Sequence, residues 1–185
     1  MIGYAICGSF CTHAASLEAL RTIAAKNDVL PILSCAASST DTRFGKACDL
    51  IAAVTEITGH EPVLTIKDAE PLGPKTPLDA LIISPCTGNT LAKLACAITD
   101  TPVTMAAKAH LRCDRTLILA LASNDALAAN LSNIGTVLLR KNVFFVPMRQ
   151  DDVVSKPHSL VADFSRVPEA LDAAMEGRQL RPLFL

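Results

Sequence analysis

Short runs of aliphatic residues, each closed by Gly, Ser, Pro or Asn, alternate along this chain with stretches whose apolar positions recur at helical spacing. That alternation selects a parallel sheet. Parallel neighbours need a long crossover, and a crossover helix covers the sheet face it passes over. Residues 2–7 form the first run and end at Gly8-Ser9. Residues 14–26 then place Ala15, Leu17, Leu20, Ile23 and Ala24 on one helical face. Val29–Leu33 is a second strand, ended by Ser34. Thr40, Asp41 and Thr42 offer capping oxygens to a helix through Phe44, Leu50, Ile51, Val54 and Ile57, stopping at Gly59.

Residues 63–66 suggest a short strand, and Pro71, Gly73, Pro74 and Pro77 a stiff surface loop. With Leu81, Ile82 and Ile83 consecutive, residues 78–84 read as the central strand. A turn at 85–89 and a helix through Leu91, Leu94 and Ile98 follow. Residues 102–111 are helical or irregular, 116–122 a buried strand, 126–139 a helix and 143–146 a last strand. Beyond Pro147 the pattern loosens: 150–163 is polar and 168–177 reads as one short helix. The expectation is an α/β fold, a three-layer Rossmann-like (flavodoxin-like) parallel sheet with helices on both faces. It forms one domain over 1–185, with 147–185 a C-terminal tail able to contact a neighbouring copy.

Composition narrows the function classes. The chain has 185 residues, half of them hydrophobic, but no Trp, one Tyr and six Phe, so Ala, Leu, Ile and Val must build the core. Lys and Arg number 17 against 18 acids. Without an excess of cations to neutralise phosphates, a nucleic-acid partner is not expected. The seven cysteines are odd in number, scattered and free of any Cys-x-x-Cys pair, which predicts reduced thiols and no metal site. There is no signal-like segment, and no apolar run approaches the roughly 20 residues of a membrane span. The chain reads as soluble and cytoplasmic, with no membrane partner.

In an open parallel sheet, ligands sit beyond the C-terminal ends of the strands. Four segments fall there and are rich in small, hydroxyl or amide residues: Gly8-Ser9-Phe10-Cys11-Thr12, Ser34-Cys35-Ala36-Ala37, 84–90, and Ala122-Ser123-Asn124-Asp125. Free amides at helix starts and Ser or Thr hydroxyls bind a phosphate without many cations, and Gly8 lets backbone approach closely. Neither a G-x-G-x-x-G turn nor a G-x-x-x-x-G-K-[ST] loop is present, which argues against a nicotinamide site or an ATPase in this chain.

Other residue readings are plainer. Lys108 and Arg112, four apart on one helical face, either meet the carboxylates of a diacid or form a solvated basic face. Cys86 has no identifiable base and reads as a small turn residue. Asp151-Asp152 reads as an exposed pair, not a metal site. His13 is expected in a surface first turn, His60 follows Gly59 at a helix end and is not read as a base, and His110 and His158 read as structural or solvated. No general base is identified.

Pro85-Cys86-Thr87-Gly88-Asn89-Thr90 resembles the Pro-Ala-Ser-Ala-Asn-Thr signature of the flavoprotein superfamily that includes cysteinyl-peptide decarboxylases and flavin prenyltransferases. Pro85, Asn89 and Thr90 match outright, and Thr87 replaces Ser. A fuller resemblance, spanning nearly the whole chain, is to the family of dipicolinate synthase B subunits. It rests on Thr40-Asp41-Thr42-Arg43-Phe44-Gly45, Asp68-Ala69-Glu70-Pro71-Leu72-Gly73-Pro74, residues 85–94 and 98–112, Asn124-Asp125-Ala126-Leu127, residues 141–147, Gln150-Asp151-Asp152 and residues 156–164.

The resemblance implies FMN as cofactor and, as partner, a separate A subunit that binds the nicotinamide. It also implies NAD(P)-linked oxidation of a dihydro- or hydroxytetrahydro-dipicolinate precursor to dipicolinate in bacterial sporulation. By it, Gly8, Ser9 and Thr12 lie by the FMN phosphate, Phe10 belongs to the cofactor site, and Ser34 and Cys35 lie near the flavin. Pro85, Cys86, Thr87, Asn89 and Thr90 shape the cleft, with Asn89 able to meet a ligand carboxylate. Ala122, Ser123 and Asn124 stand where decarboxylases carry Pro-x-Met-Asn, of which only Asn124 is kept. The superfamily further implies a homo-oligomer built on trimers. Two alternatives stay open: a non-catalytic scaffold or product-binding subunit, and an independent flavoprotein decarboxylase or prenyltransferase.

Overall fold

Around the first strand, Tyr4 and Ile6 pack on one side while Ala5 and Cys7 pack on the other, the period of two that an extended chain imposes. Ile82 is likewise separated from Leu81 and Ile83, and Ile118 and Ala120 from Leu117, Leu119 and Leu121. The computed structural model describes residues 1–185. Its first half runs β1 (Ile2–Ile6), α1 (His13–Ala24), β2 (Val29–Leu33), α2 (Cys35–Ser39), α3 (Ala47–Thr58) and α4 (Ile66–Ala69). Then come β3 (Ala80–Thr87), α5 (Gly88–Ala95), α6 (Pro102–Leu111), β4 (Thr116–Ser123) and α7 (Leu131–Leu138). The chain closes with β5 (Val143–Phe145), β6 (Met148–Asp152), β7 (Lys156–Ala162) and α8 (Val167–Met175).

The strands form one sheet in the order β2-β1-β3-β4-β7-β6, with β5 also pairing β4. Helices α1, α3 and α8 cover the face of Tyr4 and Ile82. Helices α5, α6 and α7 cover the face of Ala5 and Leu81. Between these layers, the Tyr4 hydroxyl donates to the Ser16 carbonyl (2.8 Å) and lies within hydrogen-bond distance of Ser84 Oγ (3.0 Å), tying β1, α1 and β3 together. A buried hydroxyl needs such partners. The chain crosses from one side of β1 to the other between β2 and β3, which makes the β1/β3 boundary the switch point of strand order.

Five larger features differ from the sequence expectation, each for a local reason, and α5 stops at Ala95, short of Ile98. Residues 40–45 form a tight turn in which Thr42 and Gly45 pair, so α3 starts at Ala47, whose amide is capped from six residues back by Asp41 Oδ1 (2.9 Å). Val63 makes only an isolated bridge to Ile32, and Ile66 already opens α4. Strand β3 continues past Ser84 because the register slips between Ile83 and Cys86, which accommodates a proline without an N–H for the ladder. Helix α7 is shorter than 126–139, since the Asp125 carbonyl accepts from the amides of Ala128 (3.0 Å) and Asn130 (3.2 Å) in turns before it.

The fifth difference is the largest. Residues 148–162 form an antiparallel hairpin, and β7 pairs β4 through Ala122↔Val161 and Ser123↔Leu160. The sheet is therefore mostly, not wholly, parallel. Most of β6 is exposed, so as an edge strand it carries polar residues that hide its strand character. No helix is long and apolar enough to cross a membrane.

Candidate functional site

The switch point opens into a cleft of about 670 Å³ at the C-terminal rim of the sheet, a volume ordinary for a cofactor-sized ligand. The turn after β1 supplies Gly8, Ser9, Phe10, Cys11 and Thr12, the start of α5 Thr87, Gly88 and Asn89, and the end of β4 Ala122, Ser123, Asn124 and Asp125. Phe44 reaches in from the 40–45 turn, and Asp151, Lys156, Ser159 and Val161 come from the hairpin. A second hollow of about 270 Å³ adjoins it, sharing Phe10 and Phe44 and lined by His13, Leu17 and Leu50 among others.

Which polar groups are free decides what the cleft can hold. Several hydroxyls are engaged internally. Thr12 Oγ1 donates to the Ser9 carbonyl (2.8 Å), Ser34 Oγ accepts from the Ala37 amide (3.2 Å), and Thr87 Oγ1 accepts from the Thr90 amide (3.2 Å). Thr90 Oγ1 donates to Cys7 Sγ (3.3 Å). The Gly8 amide, Ser9 hydroxyl, Asn89 side chain, Asn124 amide and side chain, and Ser159 hydroxyl find no partner within the chain. These are the groups left to bind something else. A Cβ on Gly8 would sit 3.1 Å from Ala36 Cβ and 3.5 Å from the Phe10 ring, so glycine keeps this turn close to α2.

A second polar unit stiffens the rim. Asp125 Oδ1 accepts from Ser123 Oγ and from Asn130 Nδ2 (2.9 Å), and Asn133 Nδ2 donates to Asn130 Oδ1 (2.9 Å). The donation from Ser123, and then that from Asn130, holds the Asp125 carboxyl below its usual range. Gly88 packs directly on this unit: a Cβ there would lie 2.3 Å from Ser123 Oγ, 2.7 Å from Asn130 Nδ2 and 2.9 Å from Asp125 Oδ1.

Candidates for acid–base or nucleophilic work are few. Cys7 and Cys86 are fully buried, and burial pushes Cys7 up to about 11 and Cys86 well above the usual thiol range. Cys86 is thus a neutral packing group. His13 hydrogen-bonds the Cys7 carbonyl (2.8 Å), and burial lowers its pKa. His110 bonds the Thr116 carbonyl (2.8 Å), and His60 pairs with Asp28 (2.7 Å). No histidine lines the cleft, whose ionisable residues are Cys11, Asp125, Asp151 and Lys156.

Of the residues read from the sequence, Gly8, Ser9, Phe10, Thr12, Thr87, Asn89, Ala122, Ser123 and Asn124 converge on the cleft. Pro85, Cys86 and Thr90 stand behind its wall, and Ser34 and Cys35 in the next turn cap and open α2. Lys108 and Arg112 do not join them. They lie at the end of α6, just before β4 begins at Thr116, whereas the cleft lies where β4 ends. At about 3.3 Å per residue, the length of β4 separates them from it by roughly 20 Å. Asp125 belongs to the 122–125 segment read from the sequence, whereas Phe44, Asp151, Lys156 and Ser159 were not among the sequence's site candidates. Only the hairpin and the 40–45 turn bring them here, and neither is visible as a period.

An open, mostly parallel sheet with an amide- and hydroxyl-lined cleft at its switch point is the architecture in which α/β proteins commonly bind ligands. The chain matches the family described as Flavoprotein over residues 14–164 and belongs to it. Within that family it is 40% identical, over all 185 of its residues and 92% of the relative, to the dipicolinate synthase B subunit of Bacillus subtilis (strain 168). The crystal structure of the dipicolinate synthase B subunit from Bacillus halodurans C superposes with a TM-score of 0.91 at 38% identity, covering 100% of this chain and 95% of that one. An FMN-dependent cysteine decarboxylase shares the fold, with a TM-score of 0.70 at 20% identity and 95% of each chain covered.

Proposed function

We propose that this chain is the flavin-holding B subunit of a dipicolinate synthase, with FMN seated in the switch-point cleft. The observation that carries the reading is the set of unpartnered donors gathered at one rim, in a chain similar over its full length to such proteins. The residues present fit the group. The Gly8 amide and Ser9 hydroxyl suit a phosphate at the start of α1, Phe10 and Thr12 enclose it, and the Asn89 and Asn124 side chains suit the polar edge of a ring. Bound FMN would supply a two-electron redox centre next to the substrate.

The chain's own residues then bind, orient and exclude water. The Ser123–Asp125–Asn130 unit fixes the Asn124 backbone, and Phe10 and Phe44 present aromatic surface to a planar ring. In the proposed reaction a dihydro ring loses a hydride to a nicotinamide held by the A subunit, and a proton to solvent or a carboxylate; a hydroxytetrahydro precursor sheds water first. Because the cleft holds no histidine, the A subunit is expected to complete the acid–base machinery. A homo-oligomer built on trimers, with 147–185 near the contact between copies, belongs to the same proposal.

The absorbance spectrum of the purified chain, with and without added FMN, tests the cofactor. Dipicolinate formation by this chain, by its A partner and by the two together tests the role. A yellow chain whose presence is required for efficient synthesis is the expected outcome. Full synthesis by the A partner without this chain removes the catalytic reading. Full synthesis by the pair after FMN is stripped favours a scaffold, a reading that the scarcity of proton-transfer groups in the cleft supports.

A further inference from the structure

The hairpin brings an open hydroxyl and a cation to the same wall of the cleft. Ser159 lines the cleft, and its hydroxyl makes no hydrogen bond within the chain, which leaves the O–H free for a ligand. Lys156, three residues earlier on β7, is the only cation that lines the cleft. It is held by Asp151 across the hairpin (2.5 Å), and that hydrogen bond, then the Asp151 charge, raises its pKa. Both partners of this pair keep solvent contact, with side chains 55% and 38% exposed, so an incoming anion can compete for the ammonium.

We infer that Lys156 and Ser159 form a carboxylate-binding subsite that selects a pyridine dicarboxylate, with Asp151 holding the ammonium until the anion displaces it. This deepens the proposed function and rests on it. The site lies on the hairpin wall, whereas the phosphate turn at Gly8 and Ser9 lies after β1, so the two anions of cofactor and substrate meet different donors. Lys156 gives the charge and Ser159 the directed O–H. This replaces Lys108 and Arg112 as the cationic contact of the diacid.

The test is calorimetric titration of pyridine-2,6-dicarboxylate into the full chain, loaded with FMN, for wild type and for Lys156→Gln, Ser159→Ala and Asp151→Asn, each with its FMN affinity measured separately. Lys156→Gln is expected to weaken dicarboxylate binding about tenfold or more, and Ser159→Ala by roughly fivefold, with FMN affinity unchanged. Asp151→Asn is expected to tighten dicarboxylate binding, because the ammonium loses its internal competitor. That sign is one a merely structural role for Asp151 would not give. Benzoate serves as the singly charged comparison, and its weaker binding is expected to depend on the same residues. If Lys156→Gln weakens FMN and spares the dicarboxylate, the subsite belongs to the cofactor phosphate and the inference is overturned. It is also overturned if the FMN-loaded wild type binds no dicarboxylate, a result that leaves the flavin reading standing. Failure to bind FMN at all would instead remove the reading beneath.

Discussion

Gly88 opens α5 against the polar unit at the cleft rim, and its replacement by alanine is a sharp probe of that unit. The added Cβ falls under 3 Å from Ser123 Oγ, Asn130 Nδ2 and Asp125 Oδ1. Rotating Ser123 away relieves only the shortest contact and breaks its bond to Asp125, and the Asn130 contact then forces the second bond to lengthen. Hydrogen bonds to a charged group are worth roughly 1.5–3 kcal/mol each, but Asp125 is partly exposed and water replaces part of the loss, so about 1 kcal/mol apiece is the working value. Alanine's helix propensity returns up to about 1 kcal/mol. The net expectation for Gly88→Ala is a loss of about 1–2 kcal/mol in urea unfolding.

Gly135, inside α7 with nothing within 4 Å of its Cβ position, is the internal control: Gly135→Ala is expected to gain up to about 1 kcal/mol. The pH dependence adds a second check. Asp125 has a lowered folded pKa, so its contribution is present above the unfolded aspartate value of about 3.9 and is lost as pH falls through the folded pKa. The gap between wild type and Gly88→Ala should therefore narrow on acidification. Equal effects of the two glycine substitutions, or a gap that widens at low pH, would refute the reasoning.

Burial raises the Tyr4 hydroxyl to about 12. Stability from the neutral phenol is fully present below the unfolded value of about 10 and is lost as pH rises through 12, a change of roughly 3 kcal/mol. Tyr4→Phe should flatten that alkaline loss, read from urea midpoints across pH 8–11, while costing about 1 kcal/mol at neutral pH. Thiol labelling of the folded chain should find Cys11, Cys35, Cys48 and Cys96 reactive and Cys7 and Cys86 silent until denaturant is added, which mass spectrometry resolves residue by residue. Lys108→Ala and Arg112→Ala should leave FMN and dicarboxylate affinity within about twofold of wild type by calorimetry, given their distance from the cleft.

Much of the sheet was legible in the sequence because its strands are buried on both faces and read as unbroken aliphatic runs; Val29–Leu33 matches to the residue. The turns after β1, β3 and β4 were legible as well, since glycines, hydroxyls and amides cluster where a parallel sheet binds ligands. What escaped was long-range. Asp41 caps α3 from across a turn, which a search for a cap beside the helix start misses. The β6–β7 hairpin is polar because its edge meets water, and only Leu160, Val161 and Ala162 signal that β7 joins β4. Lys156 and Ser159 reach the cleft through that pairing, so no local spacing announced them. Lys108 and Arg112 show the reverse case: a helical i, i+4 pair is visible in sequence, but not the end of the sheet at which it lies.

Paired fluorescence titrations of the isolated chain with FMN and with riboflavin most directly test whether the rim of amides and hydroxyls anchors a phosphate. The two ligands share the ring and differ in that one group. FMN binding at least tenfold tighter is the expected result, since even one charge-assisted hydrogen bond is worth about 1.5 kcal/mol. Equal affinity for the two, or no affinity for either, would contradict a phosphate seat at Gly8 and Ser9.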